Sequence, residues 1–358
     1  MKKTIYILIF LILSKTTIHA QDWQSMGKGI TPSNAHSVII ASTSGSVYAA
    51  YTDLSDGLVK VLAYDGKKWS AVGKPASDGP AKYISLAIYN NNPCVAYRDD
   101  KSTRAMVRGF NGKNWEDVSK TGPSEGYADE ISLRADKNNN LYIAFDDQKR
   151  SSISVMQLVN GQWKDVSSNP IPGSGNYVCL SFDNLNQPVV AYADNNHARA
   201  ATAKKLVKGT WVDLGNMTAS AHEAKYISCE TDASGKTYIA YQDAFDGNKI
   251  LVKTLGADNK WTLVGDPVFT SLSNDNVSFT LCGGNPYIAF HDSRNFDHNV
   301  AVKKYANGKW TDAGAVEKKG GNGFVALVAN PNNQSVILSY NDDKDENRSA
   351  VKMLSGTY

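Results

Sequence analysis

All seven tryptophans of this 358-residue chain fall in one recurring context. They are Trp23, Trp69, Trp115, Trp163, Trp211, Trp261 and Trp310, spaced 46 to 50 residues apart. Most follow a tight turn: "DGKKW", "NGKNW", "NGQW", "KGTW", "NGKW". A second marker runs in step with them: "AAYTD", "VAYRD", "IAFDD", "VAYAD", "IAYQD", "IAFHD", "LSYND". It ends on Asp53, Asp99, Asp147, Asp194, Asp243, Asp292 and Asp342. Two independent markers in register, seven times over, leave few folds open. Each repeat must be one supersecondary unit that buries its faces against its neighbours.

Within a unit the segments are short, alternating and bounded by turns. From Tyr83 they read "YISLAI", "NNNP", "CVAYRD", a polar loop, "RAMVRGF", "NGK" and "NWEDVS", which is four strands in a meander. No long stretch has helical periodicity. Solenoid repeats of this length are helical or use parallel strands, so an antiparallel four-stranded unit reads as a propeller blade. "DWQSMG" is a Trp strand with nothing before it, whereas the last unit, "FVALVAN" to "SAVKML", lacks a Trp strand. The first element can therefore complete the last blade as its outer strand, closing the ring and removing exposed sheet edges. The expected fold is all-β: residues 21–358 as a single seven-bladed β-propeller of four-stranded antiparallel blades, closed by the N-terminal strand. Over this length the chain resembles seven-bladed β-propellers. The resemblance is architectural, with no WD dipeptide at blade ends, no kelch diglycine and no S-x-D-x-G-x-x-W box. No named family's catalytic residues carry over, and the fold alone implies no function.

The opening "MKKTIYILIFLILSKTTIHA" has a positive start, an apolar run from Ile5 to Leu13 and a small residue, Ala20. It reads as a signal peptide over residues 1–20, and the run is too short for a membrane span. The expected location is secreted or periplasmic. Without Lys2, Lys3 and Lys15 the charge falls from +3 to 35 basic against 35 acidic residues, net zero. That balance excludes a global electrostatic attraction to nucleic acid or an anionic membrane. Cys94, Cys179, Cys229 and Cys282 show no CxxC or zinc spacing, and the repeat puts them in separate strands. They read as small buried apolar residues. Loops such as "NDDKDENRS" and "DAFDGNK" offer oxygen ligands but lack the spaced D-x-D-x-D-G pattern, so calcium is a weak candidate and no cofactor is expected.

A meander sorts its loops onto two faces. With strands named a to d from the axis outward, the a–b and c–d connections are short turns such as "NNNP", "DASGK" and "NGK". The d–a and b–c loops are longer and dissimilar, as in "KTGPSEGYADE" and "NMTASAHEAK". Long variable loops on a rigid scaffold are where function usually sits. His36, His197, His222, His291 and His298 all map to that second face, as do Arg98, Arg104, Arg150, Arg199, Arg294 and Arg348. Arginine suits planar recognition of carboxylate or sulfate.

Repetition separates scaffold from site. The aromatic before each repeated Asp reads as inter-blade packing, and the Asp as an acceptor for b–c loop amides. The Trp ring reads as packing before glycan stacking. The residue between aromatic and Asp varies instead: Thr52, Arg98, Asp146, Ala193, Gln242, His291, Asn341. So does the residue where strand a begins: Ser37, Tyr83, Glu130, Tyr177, Tyr226, Asn276, Gly323. These are expected to ring the channel mouth, with Lys82, Lys225 and His36 beside them. One asymmetric site on the pseudo-symmetry axis follows, drawing also on Arg294 and His222.

The leading reading is a monomeric propeller that binds an extracellular ligand, an acidic polysaccharide in the first instance. Arginines would pair its carboxylates and tyrosines would cover its sugar faces. The alternative is a polysaccharide lyase. Arg98 or Lys225 would neutralise the uronate, with His291 and Tyr226 or Tyr177 as base and acid. A glycoside hydrolase would need a carboxyl pair, for which Asp146 and Glu130 are the candidates. A third reading is an envelope protein-interaction scaffold, marked by an exposed apolar patch.

Overall fold

The computed structural model describes residues 22–33, 35–43, 45–267, 274–292, 299–316, 324–330, 335–342, 346 and 348–354. The expected signal segment lies outside them. Seven antiparallel sheets stand around a central channel, and each is a blade. Blade two shows the plan: strands a to d are Ala81–Tyr89, Asn92–Asp99, Ala105–Phe110 and Trp115–Asp117. Blade seven takes a to c from Val325–Asn330, Ser335–Asp342 and Arg348–Leu354. Its outer strand is Trp23–Gly27, paired antiparallel with Arg348–Leu354, so the N-terminal strand closes the ring as the repeat count required. No helix among the described residues is long and apolar enough to cross a membrane.

Strand b is covered on both faces by neighbouring blades. In blade three, Leu141–Asp147 is buried at every position. This explains the repeated Ala–aromatic pair. Ala96, Ala144, Ala191, Ala240 and Ala289 are fully buried and let blades approach, while Tyr97, Phe145, Tyr192, Tyr241, Phe290 and Tyr340 fill the space between them. The repeated Asp caps the b–c loop. Asp53 accepts from the Ser55 amide, Asp99 from Ser102, Asp194 from Asn196 and Asp243 from Phe245 and Asp246. Three of the a–b turns are Asx turns, with Asp136, Asp183 and Asp232 each accepting two amides within their own turn.

The tryptophans peg blade to blade. The indole N–H of Trp69, Trp115, Trp261, Trp310 and Trp23 donates to the carbonyl of Met26, Val72, Leu214, Val264 and Ala313, each at the outer edge of the preceding blade. Each acceptor is followed by a glycine of positive φ: Gly27, Gly73, Gly215, Gly265, Gly314. At the two remaining joints the acceptor position, Val118 or Val166, is followed by Ser119 or Ser167. There Trp163 and Trp211 make no such bond, and the Trp163 N–H is buried without a partner. The peg thus forms at the five joints where a positive-φ glycine follows the acceptor and is absent at the two where serine follows. Ser167 substitutes a different clasp, donating to the Gly209 carbonyl of blade four at 2.7 Å.

Candidate functional site

The inner strands of blades one to six carry a bulge near their start. In blade two the register shifts between Lys82 and Ser85, and blades three to six shift at the equivalent place. At the bulge sits a residue in the left-handed region: Tyr83 (φ 51°), Glu130 (53°), Tyr177 (55°), Tyr226 (52°) and Asn276 (53°). A bulge re-aims the side chain it carries, and here it turns all five toward the axis. They line one cavity of about 790 Å³ at the channel mouth, with Leu54 and Pro80 from the b–c and d–a loops. This cavity therefore lies on the long-loop face. His36 and Lys82 stand beside the ring, as expected.

Blade seven corrects the reading by one residue. Val325 pairs with Tyr340, so Phe324 rather than Gly323 holds the register of Tyr83, and Phe324 lines the mouth. Gly323 and the Ser37 side chain lie outside the described residues. The regular spacing of "FVALVA" against "YISLAI" would have placed Phe324.

The wall is mainly aromatic and aliphatic. Tyr177 and Tyr226 approach to 5.4 Å between ring centroids, and His36 meets Phe324 edge-on at 4.5 Å. Burial pushes the His36 imidazole below its ordinary range, so it is neutral near pH 7. Burial raises the Glu130 carboxyl, although it accepts the Tyr177 amide at 2.8 Å. Burial, with the nearby Tyr226 and Glu130, also lifts the Tyr177 phenol to about 12. Lys82 is well exposed and lies 3.3 Å from Asp100.

The variable position on strand b behaves differently from expectation. Thr52, Arg98, Asp146, Ala193, Gln242, His291 and Asn341 are all buried, and of these Thr52 alone lines the mouth. A polar residue that varies around the ring looked like a surface residue, but both faces of strand b are covered. Arg98 is 4.8 Å from the ring centroids of both Tyr83 and Tyr127. It donates to the Tyr127 hydroxyl at 2.6 Å and pairs with Asp129 and Asp100. Its guanidinium is committed to holding Tyr83 in place and does not present itself to a ligand. His291 is 5 % exposed, beneath the mouth. Among His291, Tyr226 and Arg98, then, Tyr226 alone reaches the cavity.

Asp146 is likewise interior. Burial pushes its carboxyl up to about 6, against hydrogen bonds from Gln148 and the Gly175 amide. Its blade partner Glu130 lines the mouth, but Asp146 does not. Gln242 is buried, and Lys225, its register partner, is half-buried and off the cavity wall. His222 is 3.4 Å from Asp243 and stacks on Phe245 at 4.9 Å, away from the mouth. Arg294 and His298 lie outside the described residues. The other polar residues of this face mostly tie loops down: His197 to Asp194, Arg150 to Asp165, Arg199 to Glu223, Arg348 to Glu346. Arg104 and Arg150 line a separate groove of about 850 Å³ between blades two and three, beside Trp163. Among the described residues no cluster of three or more His, Cys, Asp or Glu side chains could hold a metal. In "DAFDGNK", Asp243 caps loop amides and Asp246 pairs with Lys249.

No protein-family model matches the chain, and no curated protein matches it in sequence. Solved structures match it in fold. A PL25 polysaccharide lyase, ulvan lyase bound to -[GlcA(1-4)Rha3S]-, has a TM-score of 0.60 at 13 % identity, covering 94 % of each chain. YCF48 bound to a D1 peptide has a TM-score of 0.60 at 10 % identity, covering 94 % of this chain and 96 % of that one. The SapL1 lectin with α-methyl fucoside reaches 0.55 at 13 % identity, over 81 % of this chain and 99 % of that one. At these identities the likeness is one of fold.

Proposed function

We propose that the chain is an exported binding protein that holds a segment of glycan at the channel mouth. One observation carries this reading. Three tyrosines and a glutamate occupy left-handed backbone at the bulge, where glycine would cost nothing. Each non-glycine residue there costs roughly 1–3 kcal/mol, a burden that persists where the side chain is used. The tyrosines supply flat apolar faces for sugar rings, and Glu130, Asn276 and Lys82 supply directed polar contacts. The cavity size suits a small ligand segment. Propellers of this fold that hold sugars, the ulvan lyase and the lectin named above, lend support.

The mouth is less cationic than an acidic polysaccharide would favour. Arg98 is paired with Asp129 and packed on two tyrosine rings, and Lys82 has Asp100 beside it. Stacking therefore carries more of the binding than charge. Of the groups named for β-elimination, His291 and Arg98 do not line this cavity, and binding is therefore favoured over that catalytic arrangement.

Calorimetric titration against neutral and uronic-acid oligosaccharides, at low and high salt, tests the reading. The expected result is weakly salt-dependent binding that the Tyr83→Ala, Tyr226→Ala double variant abolishes. Binding untouched by that variant would sink the proposal. Ultraviolet absorbance from unsaturated products, lost in Tyr226→Phe, would establish the lyase instead.

A further inference from the structure

The inner strands are laced together by one repeated contact. The backbone N–H of Leu133 donates to Ser85 Oγ at 2.9 Å, Leu180 to Ser132 at 3.1 Å and Leu327 to Ser278 at 2.9 Å. Each joins the residue two past the bulge of one blade to the residue three past the bulge of the next. Between blades four and five the same contact is made by cysteines at both positions. The Cys229 N–H meets Cys179 Sγ at 3.1 Å, the Cys229 thiol lies 3.3 Å from the Cys179 carbonyl, and the two sulfurs are 3.1 Å apart. In register, every other blade pairing has Ser, Ala or Ile facing an aliphatic residue or Phe, with no sulfur at either place. Cys179 and Cys229 thus lie in separate strands, as expected, but the strands bring their sulfurs into contact, while Cys94 and Cys282 stay buried apart from them.

We propose that Cys179 and Cys229 form a disulfide that staples blade four to blade five at the wall of the central channel. Access has a direction. Cys179 is half-buried and lines the lower channel cavity of about 530 Å³, whereas Cys229 is fully buried. Arg134, ion-paired with Glu230 at 2.8 Å, lines the same cavity. The hydrogen bond from Cys229, with Arg134 nearby, holds the Cys179 thiol below its ordinary range. Cys179 thiolate attacks one sulfur of a low-molecular-weight disulfide and releases the first thiol. Cys229 then loses its proton and attacks the Cys179 sulfur of that mixed disulfide, releasing the second. Two protein thiols are oxidised, one external disulfide is reduced to two thiols, and the protons end on those thiols.

The staple would sit two residues past Tyr177 and three past Tyr226, whose rings pair at the mouth. It does not depend on the glycan reading and is tested separately. The protein is incubated with glutathione disulfide, alkylated, digested with trypsin without reduction and examined by mass spectrometry. The expected product links peptide 165–199 to peptide 226–236, with the mass of two hydrogens missing. Cys94→Ala should keep the link. Cys179→Ser restores the serine found in other blades, so it should fold and lose the link, and the oxidised wild type should melt above it. Full alkylation of both cysteines in the folded protein after glutathione disulfide treatment would overturn the proposal. So would a link from either cysteine to Cys94 or Cys282.

Discussion

At the scale of single residues, two groups sit where local preference would not put them. Tyr226 holds φ 52°, a conformation that suits glycine or asparagine. Tyr226→Gly relieves ~1 kcal/mol of backbone strain and loses a ring contact with Tyr177 worth ~1 kcal/mol. Stability in urea should therefore change by less than about 1 kcal/mol, while oligosaccharide affinity falls at least about tenfold. A loss of stability with intact binding would make the bulge residue purely structural. Asp146 is the second group. Its carboxyl titrates near pH 6 in the folded chain and in the ordinary aspartate range when unfolded. The folded state binds more protons between those values, so stability falls as pH rises from about 4 to about 6. Asp146→Asn should remove that slope and raise the melting temperature at pH 7 but not at pH 4. The full shift corresponds to ~3 kcal/mol, and screening by solvent reaching part of the group leaves an expected gain of ~1 kcal/mol.

Between elements, the joint from Trp to carbonyl is the recurring unit, and it depends on the glycine behind the acceptor. A Cβ on Gly215 would lie 2.3 Å from Trp261 Nε1, and the residue has φ 89°. Gly215→Ala should cost about 2–3 kcal/mol through strain and the displaced indole, read as a lower urea midpoint and a red-shifted tryptophan emission. The converse change tests the same cause. Ser119→Gly frees the Val118 carbonyl to turn outward, giving the buried Trp163 N–H an acceptor. The expected gain is about 1 kcal/mol. An unchanged midpoint would mean that something other than Ser119 keeps this joint apart. The rule was present in the letters, as "MG", "VG", "LG", "VG" and "AG" against two cases of "VS". Its meaning appears once the acceptor and the indole are seen face to face.

For the molecule as a whole, closure rests on one short strand. Trp23–Gly27 pairs with Arg348–Leu354, and the Trp23 N–H reaches the Ala313 carbonyl at 2.8 Å. Trp23→Ala should destabilise the ring by about 2–3 kcal/mol, since the side chain is half-buried. Amide exchange should rise first in residues 348–354, which would lose their edge partner. Uniform exchange over all blades would instead mean that the ring opens as one unit.

Blade number, strand order, ring closure and the caps supplied by the repeated Asp were legible in the sequence. Each rests on short-range pattern repeated often enough to count. The ring of Tyr83, Glu130, Tyr177, Tyr226 and Asn276 was legible too, because a residue that varies where its neighbours repeat marks itself out. Arg98, Asp146 and His291 were not legible as interior residues. Their side of strand b is covered by a blade whose residues lie a full repeat away, and alternation within one strand cannot report that. The same distance hid Cys179 from Cys229. Composition and spacing determined that this chain closes into seven blades. Which polar groups reach the mouth, and which two sulfurs touch, was decided by how each blade seats on the next.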